Sequence, residues 1–571
     1  MFLSKLRKTV KHIPNEKILL NSLLLSCLLY TASTIVSQKY DWDIDQFMYF
    51  GSRLANGELA FVREYDDKSV AVHVLFLIPF WLRSIRAWFL ISAIAASITG
   101  YIFYKILTRY ARSEKANAAI AAMYFAFLIT STRGGINHIN GIAACMTLAC
   151  VSGIALCTPN TSDTNVNKIT PIYILLGAWS ISIRPYYILT TLAAIAWPGL
   201  RALVINKPST NRFQSVKNIL NKSMLVNAIK NVVLLAAFMS AINVLPYIFT
   251  GEGKALADAF IINKISITPG IQEGLVNILF ITVAKAPLVI LPIIVANIIV
   301  IADVLRSAKK KDLNTRKLLE RNIDLIYSAS IMPMLLAQMM STRHFHNHYL
   351  ALFAPFSTIT LYLLLAKRGN KNCKGTAKSP IKTKNNRSIT TKIILGLGLT
   401  YHCIYPIVKM TEQFAPWNQV RTKGRENILK ELKELVKTGG KSKSFVVTRD
   451  NHFHWRLNQS RLGIPHASLL SKIATGYENI DQATNKASQI KTVFKYPDMN
   501  QLCNTMLEAN PYIYVVPKLS IEDSCLTQEN SGYSFYKEVE RGHTWNLTNT
   551  KIGVIHIRTN QAKNNIGNML K

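Results

Sequence analysis

Long apolar stretches separated by short basic gaps constrain this chain more than any other feature. The first stretch runs from about Ile18 to Val36, behind a basic N-terminal segment carrying Lys5, Arg7, Lys8, Lys11 and Lys17. Others lie near 88–107, 116–132, 139–157, 169–183, 186–204, 231–250, 275–304, 323–341, 349–366 and 393–410. Roughly twenty apolar residues cross the hydrocarbon of a bilayer as a helix, so the pattern predicts about eleven spans. The stretch 275–304 holds Pro287 and Pro292 and is long enough for a kinked or split helix. Composition agrees with the pattern. Of 571 residues, 49% are hydrophobic and 17% are charged, whereas a soluble protein carries about 25% charged residues. A disordered chain is excluded, and an ordinary soluble enzyme is disfavoured.

The chain carries 67 Lys and Arg against 31 Asp and Glu, a formal net charge of +36. Where those bases lie matters more than their number. They cluster between apolar stretches, which is the positive-inside bias of a polytopic membrane protein. The opening stretch is long and lacks an A-x-A cleavage site, so an uncleaved first span is expected rather than a signal peptide. With the basic N-terminus in the cytoplasm, segments 105–115, 158–168, 201–230, 305–322 and 367–392 are cytoplasmic. The last holds nine Lys and Arg and no acid, whereas 158–168 has no useful charge bias. Segment 38–69 falls on the opposite side and carries seven acids against four bases. An odd number of spans also leaves the tail outside the cytoplasm. The predicted architecture is a polytopic α-helical membrane domain over 1–410, whose first outer loop is 38–69, followed by a soluble extracytoplasmic α/β domain over 411–571. Such a chain belongs in the cytoplasmic (inner or plasma) membrane, in contact with its lipids. Nucleic-acid binding is excluded, because the basic loops are scattered and lack aromatic stacking partners.

Within the tail, Ile428, Leu429, Leu432, Leu435 and Val436 recur at helical spacing before Gly439-Gly440. Phe445–Val447 reads as a strand, followed by a helix near 499–509 and strands at Tyr512–Val516 and Lys551–Arg558. Alternation of this kind predicts a layered sheet with helices on its faces. The eight cysteines form no CxxC pair and no set with zinc spacing. Cys27, Cys145, Cys150, Cys157 and Cys403 lie in apolar segments and read as small apolar residues. Cys503 and Cys525 lie in the polar tail and can pair if it faces an oxidising compartment.

Three polar clusters stand out on the predicted outer side. The loop after the first span places Asp41, Asp43 and Asp45 two residues apart, and Glu64, Asp66, Asp67 and Lys68 close it. A solvated acidic loop is the plain reading. The acids alternate, however, with Trp42, Ile44, Phe47 and Tyr49, which suggests a partly buried segment whose carboxylates need partners. The second cluster is Ser-Thr-Arg-His-Phe-His-Asn-His-Tyr at 341–349. Its Arg343, His344, His346 and His348 can bind an anion, a metal or lipid headgroups, although no Cys or nearby carboxylate completes a tetrahedral zinc set. The third is Arg184-Pro185, between two apolar stretches, where a charge is costly and often functional unless it snorkels to the interface. His138, with Asn137 and Asn140, marks another outer turn. A carboxylate base and an anion clamp on one membrane face suit transfer from a lipid phosphate. The base would take a proton from an acceptor hydroxyl, and the cations would stabilise charge growing on the departing phosphate.

These residues also resemble those of the GT-C integral-membrane glycosyltransferases, in particular the bacterial protein-mannosyltransferase-like and aminoarabinose-transferase-like branch. In the first loop, Asp43 or Asp45 stands for the family's acid, with Asp43 ahead on its spacing to Gly57 and Asp45 fitting a D-x-x-x-Y form with Tyr49. Arg53-Leu54 matches the middle of the motif, and Asp66-Asp67-Lys68 its close. Arg343 to Tyr349, followed by Pro355, is similar to the family's R-x-F-x-H-Y-x-L-x-x-x-P segment with one extra residue before His348-Tyr349. Arg184-Pro185 resembles a frequent Arg-Pro, and Met506–Val516 resembles part of the soluble appendage. The chain departs from the pattern at Ala60-Phe61, where the family has Pro-Tyr, and at Ser69-Val70, where it has Pro-Pro. It also lacks the Asp-Glu pair.

The resemblance implies a transferase that uses a polyprenyl-phosphate-linked sugar and inverts the anomeric carbon by direct displacement. The acceptor would be a lipid, glycan or protein. Asp43 and Asp45 would be catalytic, and Asp66, Asp67, Lys68, Arg184, Arg343, His344, His346, His348 and Tyr349 would bind substrate. No cofactor is required, although a divalent cation (Mg²⁺ or Mn²⁺) at Asp43 and Asp45 is permitted. The competing readings are a transporter or flippase for an anionic lipid-linked sugar and a noncatalytic assembly subunit. A transporter favours intramembrane charges and matched broken helices. Apart from Arg184 and Lys285, the charges in the predicted spans lie within three residues of a span end.

Overall fold

The computed structural model describes residues 42–60, 68–110, 115–131, 138–157, 164–205, 222–257, 287–309, 323–328, 330–331, 334–335, 347–371, 416–437, 445–447, 503–504, 506–507, 510–517, 521–528, 531–540 and 552–558. The expected spans at 18–36 and 393–410, and Lys285, lie outside them.

In chain order the helices are α1 (Trp42–Ala55), α2 (Val70–Leu75), α3 (Leu77–Trp81), α4 (Ile85–Arg109), α5 (Lys115–Ser131) and α6 (Ile139–Val151, continued by a π-turn over Ser152–Leu156). Next come α7 (Thr164–Ile183), α8 (Ile188–Ile205), α9 (Lys222–Asn243), α10 (Leu245–Phe249) and α11 (Pro287–Lys309). A 3₁₀ helix over Asn347–Phe353 leads into α12 (Ala354–Lys371). The tail supplies α13 (Pro416–Lys437), β1 (Phe445–Val447), β2 (Ile513–Pro517), α14 (Ile521–Leu526), β3 (Tyr533–Glu540) and β4 (Ile552–Arg558). The chain divides into two compact units, one of Met1–Ser33, Phe89–Ile242 and Ile271–Val408, the other of Thr34–Trp88, Asn243–Gly270 and Lys409–Lys571.

Among the described residues, four helices are long and apolar enough to cross a membrane: Ile85–Arg109, Ile139–Leu156, Leu225–Asn243 and Tyr349–Ala366. Shorter apolar helices run over Asn117–Ile129, Thr170–Ile183 and Leu291–Leu305. Their faces explain the composition. α9 exposes Leu225, Val226, Ile229, Val232 and Val233, and α11 exposes Leu291, Ile294, Ile298 and Ile301. Contiguous apolar area on that scale is unfavourable against water and is what lipid contact requires. α6 is instead buried over nearly its whole length. It packs closely on α7, where a Cβ at Gly177 would lie 2.7 Å from Cys150 Sγ. Thr147 and Ser180 bond across this contact at 2.6 Å. Small and hydroxyl residues of this kind hold helices together where the hydrophobic effect cannot. Pro292 lies inside α11, as expected from the long stretch around it, and the expected span over 231–250 ends at Asn243, just before Pro246 at the start of α10. Cys145, Cys150 and Cys157 are buried thiols.

In the second unit, the segment expected as an outer loop is a helix. Ile44, Phe47, Met48 and Gly51 follow the i, i+3, i+4, i+7 spacing of one helical face, a signal masked by the alternating acids. α1 is buried from Ile44 through Arg53. Phe47 lies 5.3 Å from Phe76, Phe50 stacks on His73 at 5.0 Å, and Phe76 stacks on Trp88 at 4.2 Å. A Cβ at Gly51 would stand 2.8 Å from Phe76 Cβ, so only glycine permits this approach. Gly57 ends the helix with φ +81°. The Gly57 N–H donates to Leu54 O and the Glu58 N–H to Arg53 O, at 3.0 and 2.9 Å, the paired bonds of a Schellman cap.

The tail sheet has strand order β1-β2-β4-β3, with β1 parallel to β2 and the other pairs antiparallel. β3, the helix α14 and the mixed character of the sheet are additions to the expected layered domain. Strand β2 is apolar on both faces because both are covered. Ile513 and Val515 join Ile428 and Leu432 of α13 with Phe445, Val539 and Ile555. Tyr514 and Val516 face Met506, Leu526, Val554 and the cysteines. Cys503 and Cys525 form a disulfide with Cα atoms 5.1 Å apart. Closing a loop across 22 residues stabilises a fold by about 3 kcal/mol. Replacing both cysteines by Ser is expected to remove that amount from the tail, read as a lower urea midpoint for proteolysis of the sheet.

Candidate functional site

Two polar clusters contain the candidates, one in each unit. In the first unit, Pro185 dictates the local geometry. A residue before proline is pushed out of the α region, and Arg184 accordingly has φ −140° and ψ 97°, ending α7 and capping a 3₁₀ turn over Pro185–Tyr187. The break turns its side chain toward the start of α6, where Arg184 Nε donates to Asn140 Oδ1. Asn140 is itself held by the α6 cap, its N–H donating to His138 Nδ1 at 3.3 Å. Both His138 and Asn140 are buried.

The guanidinium lies over the ring of Tyr349, 5.4 Å from its centroid, and Tyr349 packs on Tyr186 at 5.6 Å. Tyr187 Oη donates to Leu352 O at 2.9 Å, which fastens the Arg184 turn to the 3₁₀ helix over 347–353. Three segments far apart in sequence therefore meet at one buried arginine. Arg184 is 6% exposed, and among the described residues no carboxylate lies within ion-pair distance of it. An isolated buried charge is strongly unfavourable. Arg343, His344 and His346 lie outside the described residues. His348 sits in the 3₁₀ helix next to Tyr349, which puts the end of the His-rich segment beside Arg184.

In the second unit, Asp43 and Asp45 both occupy the first turn of α1, where the helix dipole favours carboxylates. Asp43 is half-buried. Asp45 is buried and accepts from Arg425 Nη1 of α13 at 2.9 Å, both side chains being 2% exposed. Further along the same side of α1, Arg53 Nη1 donates to Tyr49 Oη at 2.9 Å and pairs with Glu58. Arg53 and Gly57, matched to the resemblance motif, thus serve to order the end of α1. Lys68 is half-buried, and Asp66 and Asp67 lie outside the described residues.

Asp43 and Asp45 are the residues where the resemblance permits a divalent cation. Residues two apart on a helix point about 200° apart, and Asp45 is already engaged by Arg425. Among the described residues, no group of three His, Cys, Asp or Glu side chains is placed to hold a metal ion. Arg425 escaped the sequence reading, yet a signal for it exists. It precedes Ile428 and Leu432 by three and seven residues, which sets a base on the apolar stripe of α13 and implies a buried acidic partner.

No protein-family model matches the chain, and no curated protein matches it. Among solved structures, the chain is similar to the Archaeoglobus fulgidus oligosaccharyltransferase, crystallised as a complex with Zn and sulfate. That similarity covers 87% of this chain and 68% of the other at 14% identity, with a TM-score of 0.36. A likeness of this size carries no argument about residues or activity.

Proposed function

We propose that the protein is a membrane glycosyltransferase of the GT-C kind, moving a sugar from a polyprenyl-phosphate donor to a hydroxyl acceptor on the non-cytoplasmic face. The observation that carries this reading is Arg184, a cation buried among apolar helices, fixed by Asn140 and Tyr349, and without a carboxylate partner among the described residues. A lipid phosphate supplies the missing negative charge from within the membrane. The motif resemblance around Asp43 and Tyr349 supplies the reaction class. The disulfide in the tail supports its placement outside the cytoplasm, where thiols are oxidised.

In this mechanism the acceptor oxygen attacks the anomeric carbon from the face opposite the phosphate. The new carbon–oxygen bond forms as the bond to the phosphate oxygen breaks, so the configuration inverts. Asp43 takes the acceptor's proton. The role is assigned to Asp43 rather than Asp45, whose buried carboxylate pairs with Arg425. The departing polyprenyl phosphate gains one negative charge. Arg184, with Arg343, His344, His346 and His348, stabilises that charge where it appears. Lys68, Asp66 and Asp67 contact the sugar or its phosphate. The test is incubation of the purified protein with a panel of polyprenyl-phosphate sugars, scoring release of the lipid phosphate. Release from at least one donor, with an inverted anomer in the product, is expected. Failure with every donor, together with lipid movement across vesicles, would replace the proposal with a flippase.

A further inference from the structure

We propose that Arg425, in the tail, is a positioning residue for transfer: it locks the helix that carries Asp43, so the soluble domain forms part of the catalytic apparatus rather than an appendage. The inference rests on the transferase reading above. Arg425 and Asp45 are 380 residues apart in sequence, yet Nη1 and Oδ2 meet at 2.9 Å with both side chains 2% exposed. A buried pair contributes little net stability but is costly to break, because the surviving charge is stranded. Such a pair therefore enforces one arrangement of the two helices that carry it.

α1 is held on its other sides as well. Phe47 packs on Phe76, Gly51 admits the Phe76 backbone, and Arg53 closes on Tyr49 and Glu58. All of these hold the middle and C-terminal end of the helix. At the N-terminal turn, Arg425 makes a long-range tie to Asp45, and Asp43 is two residues from Asp45. α13 is in turn fixed to the sheet through Ile428 and Leu432. A rigid path thus runs from the sheet through Arg425 to the turn bearing the base. Displacing a reacting group by about 1 Å costs on the order of 10²-fold in rate, and this tie is what prevents such displacement.

The experiment compares wild type, Arg425→Gln, and the doubly neutral Asp45→Asn/Arg425→Gln pair. Each full-length protein is assayed for sugar transfer and for backbone hydrogen exchange. In Arg425→Gln, faster exchange confined to 42–55 is expected, with β2 and β4 unchanged. Its kcat should fall on the order of 10²-fold with KM little altered. The double variant leaves no stranded charge, so it should recover on the order of tenfold of that loss. It also carries the test if the single variant does not fold. Unchanged exchange over 42–55, or wild-type kcat in Arg425→Gln, would overturn the proposal. If the wild type transfers no sugar from any donor, the transferase reading fails, while the exchange data still decide whether Arg425 holds α1.

Discussion

Asp43→Asn is expected to lower sugar transfer by roughly 10²–10⁴-fold, the range over which a positioned proton acceptor acts. The amide keeps the size of the carboxylate and some of its capacity to accept hydrogen bonds, but it cannot take a proton. Asp43 is half-buried in the first turn of α1, and the variant should insert and fold. Initial rates of lipid-phosphate release measure the effect, and an intact Cys503–Cys525 bond in the purified variant checks folding. Asp45→Asn provides the contrast. It removes the partner of Arg425 at a site 2% exposed, and losing one member of a buried pair costs about 3–5 kcal/mol. Its loss of activity should therefore accompany lower stability, whereas Asp43→Asn should lose rate alone. A variant at Asp43 that transfers at the wild-type rate would remove this residue from the chemistry.

Arg184→Gln is the second large effect. A donor aimed at developing negative charge contributes roughly 10²–10³-fold to the rate, and Arg184 is a buried cation held by Asn140 and Tyr349. Lys at this position is not expected to restore activity. Arg184 uses Nε to hold Asn140 Oδ1 and lays its planar guanidinium over Tyr349, and an ammonium reproduces neither contact. Donor titrations with the purified variants provide the check: both kcat and donor affinity should fall, because the phosphate is charged before and after transfer. Donor binding and turnover unaffected by Arg184→Gln would show that the anion site lies elsewhere.

The membrane character was legible because hydropathy accumulates along contiguous residues. The stretch at 349–366 coincides with an apolar helix of spanning length, and 139–157 with another to within one residue. The strands at Phe445–Val447 and around Tyr512–Val516 were legible for a similar reason, since buried strands read as short apolar runs. The acidic loop was misjudged in form. Carboxylates at every second position drew attention to a period of two, whereas Ile44, Phe47, Met48 and Gly51 carried the helical one. β3 was missed because its exposed face, including Phe535 and Tyr536, leaves no clean alternation. At the candidate site, Arg184 was legible as a base between apolar stretches, and its neighbours Asn140 and Tyr349 were noted as separate signals. Arg425 was hidden in a helix that otherwise resembles any charged surface helix.

Desolvation of a run of side chains is additive along the backbone, so reading the residues in order was enough to commit this chain to a bilayer. The roles of its charged groups are not additive in that way. They depend on which guanidinium comes within 3 Å of which carboxylate. Folding brings Arg425 across 380 residues to bind Asp45, and it leaves Arg184 between an amide and a tyrosine ring. Electrostatic energy depends on distance in space, and distance along the chain does not encode it.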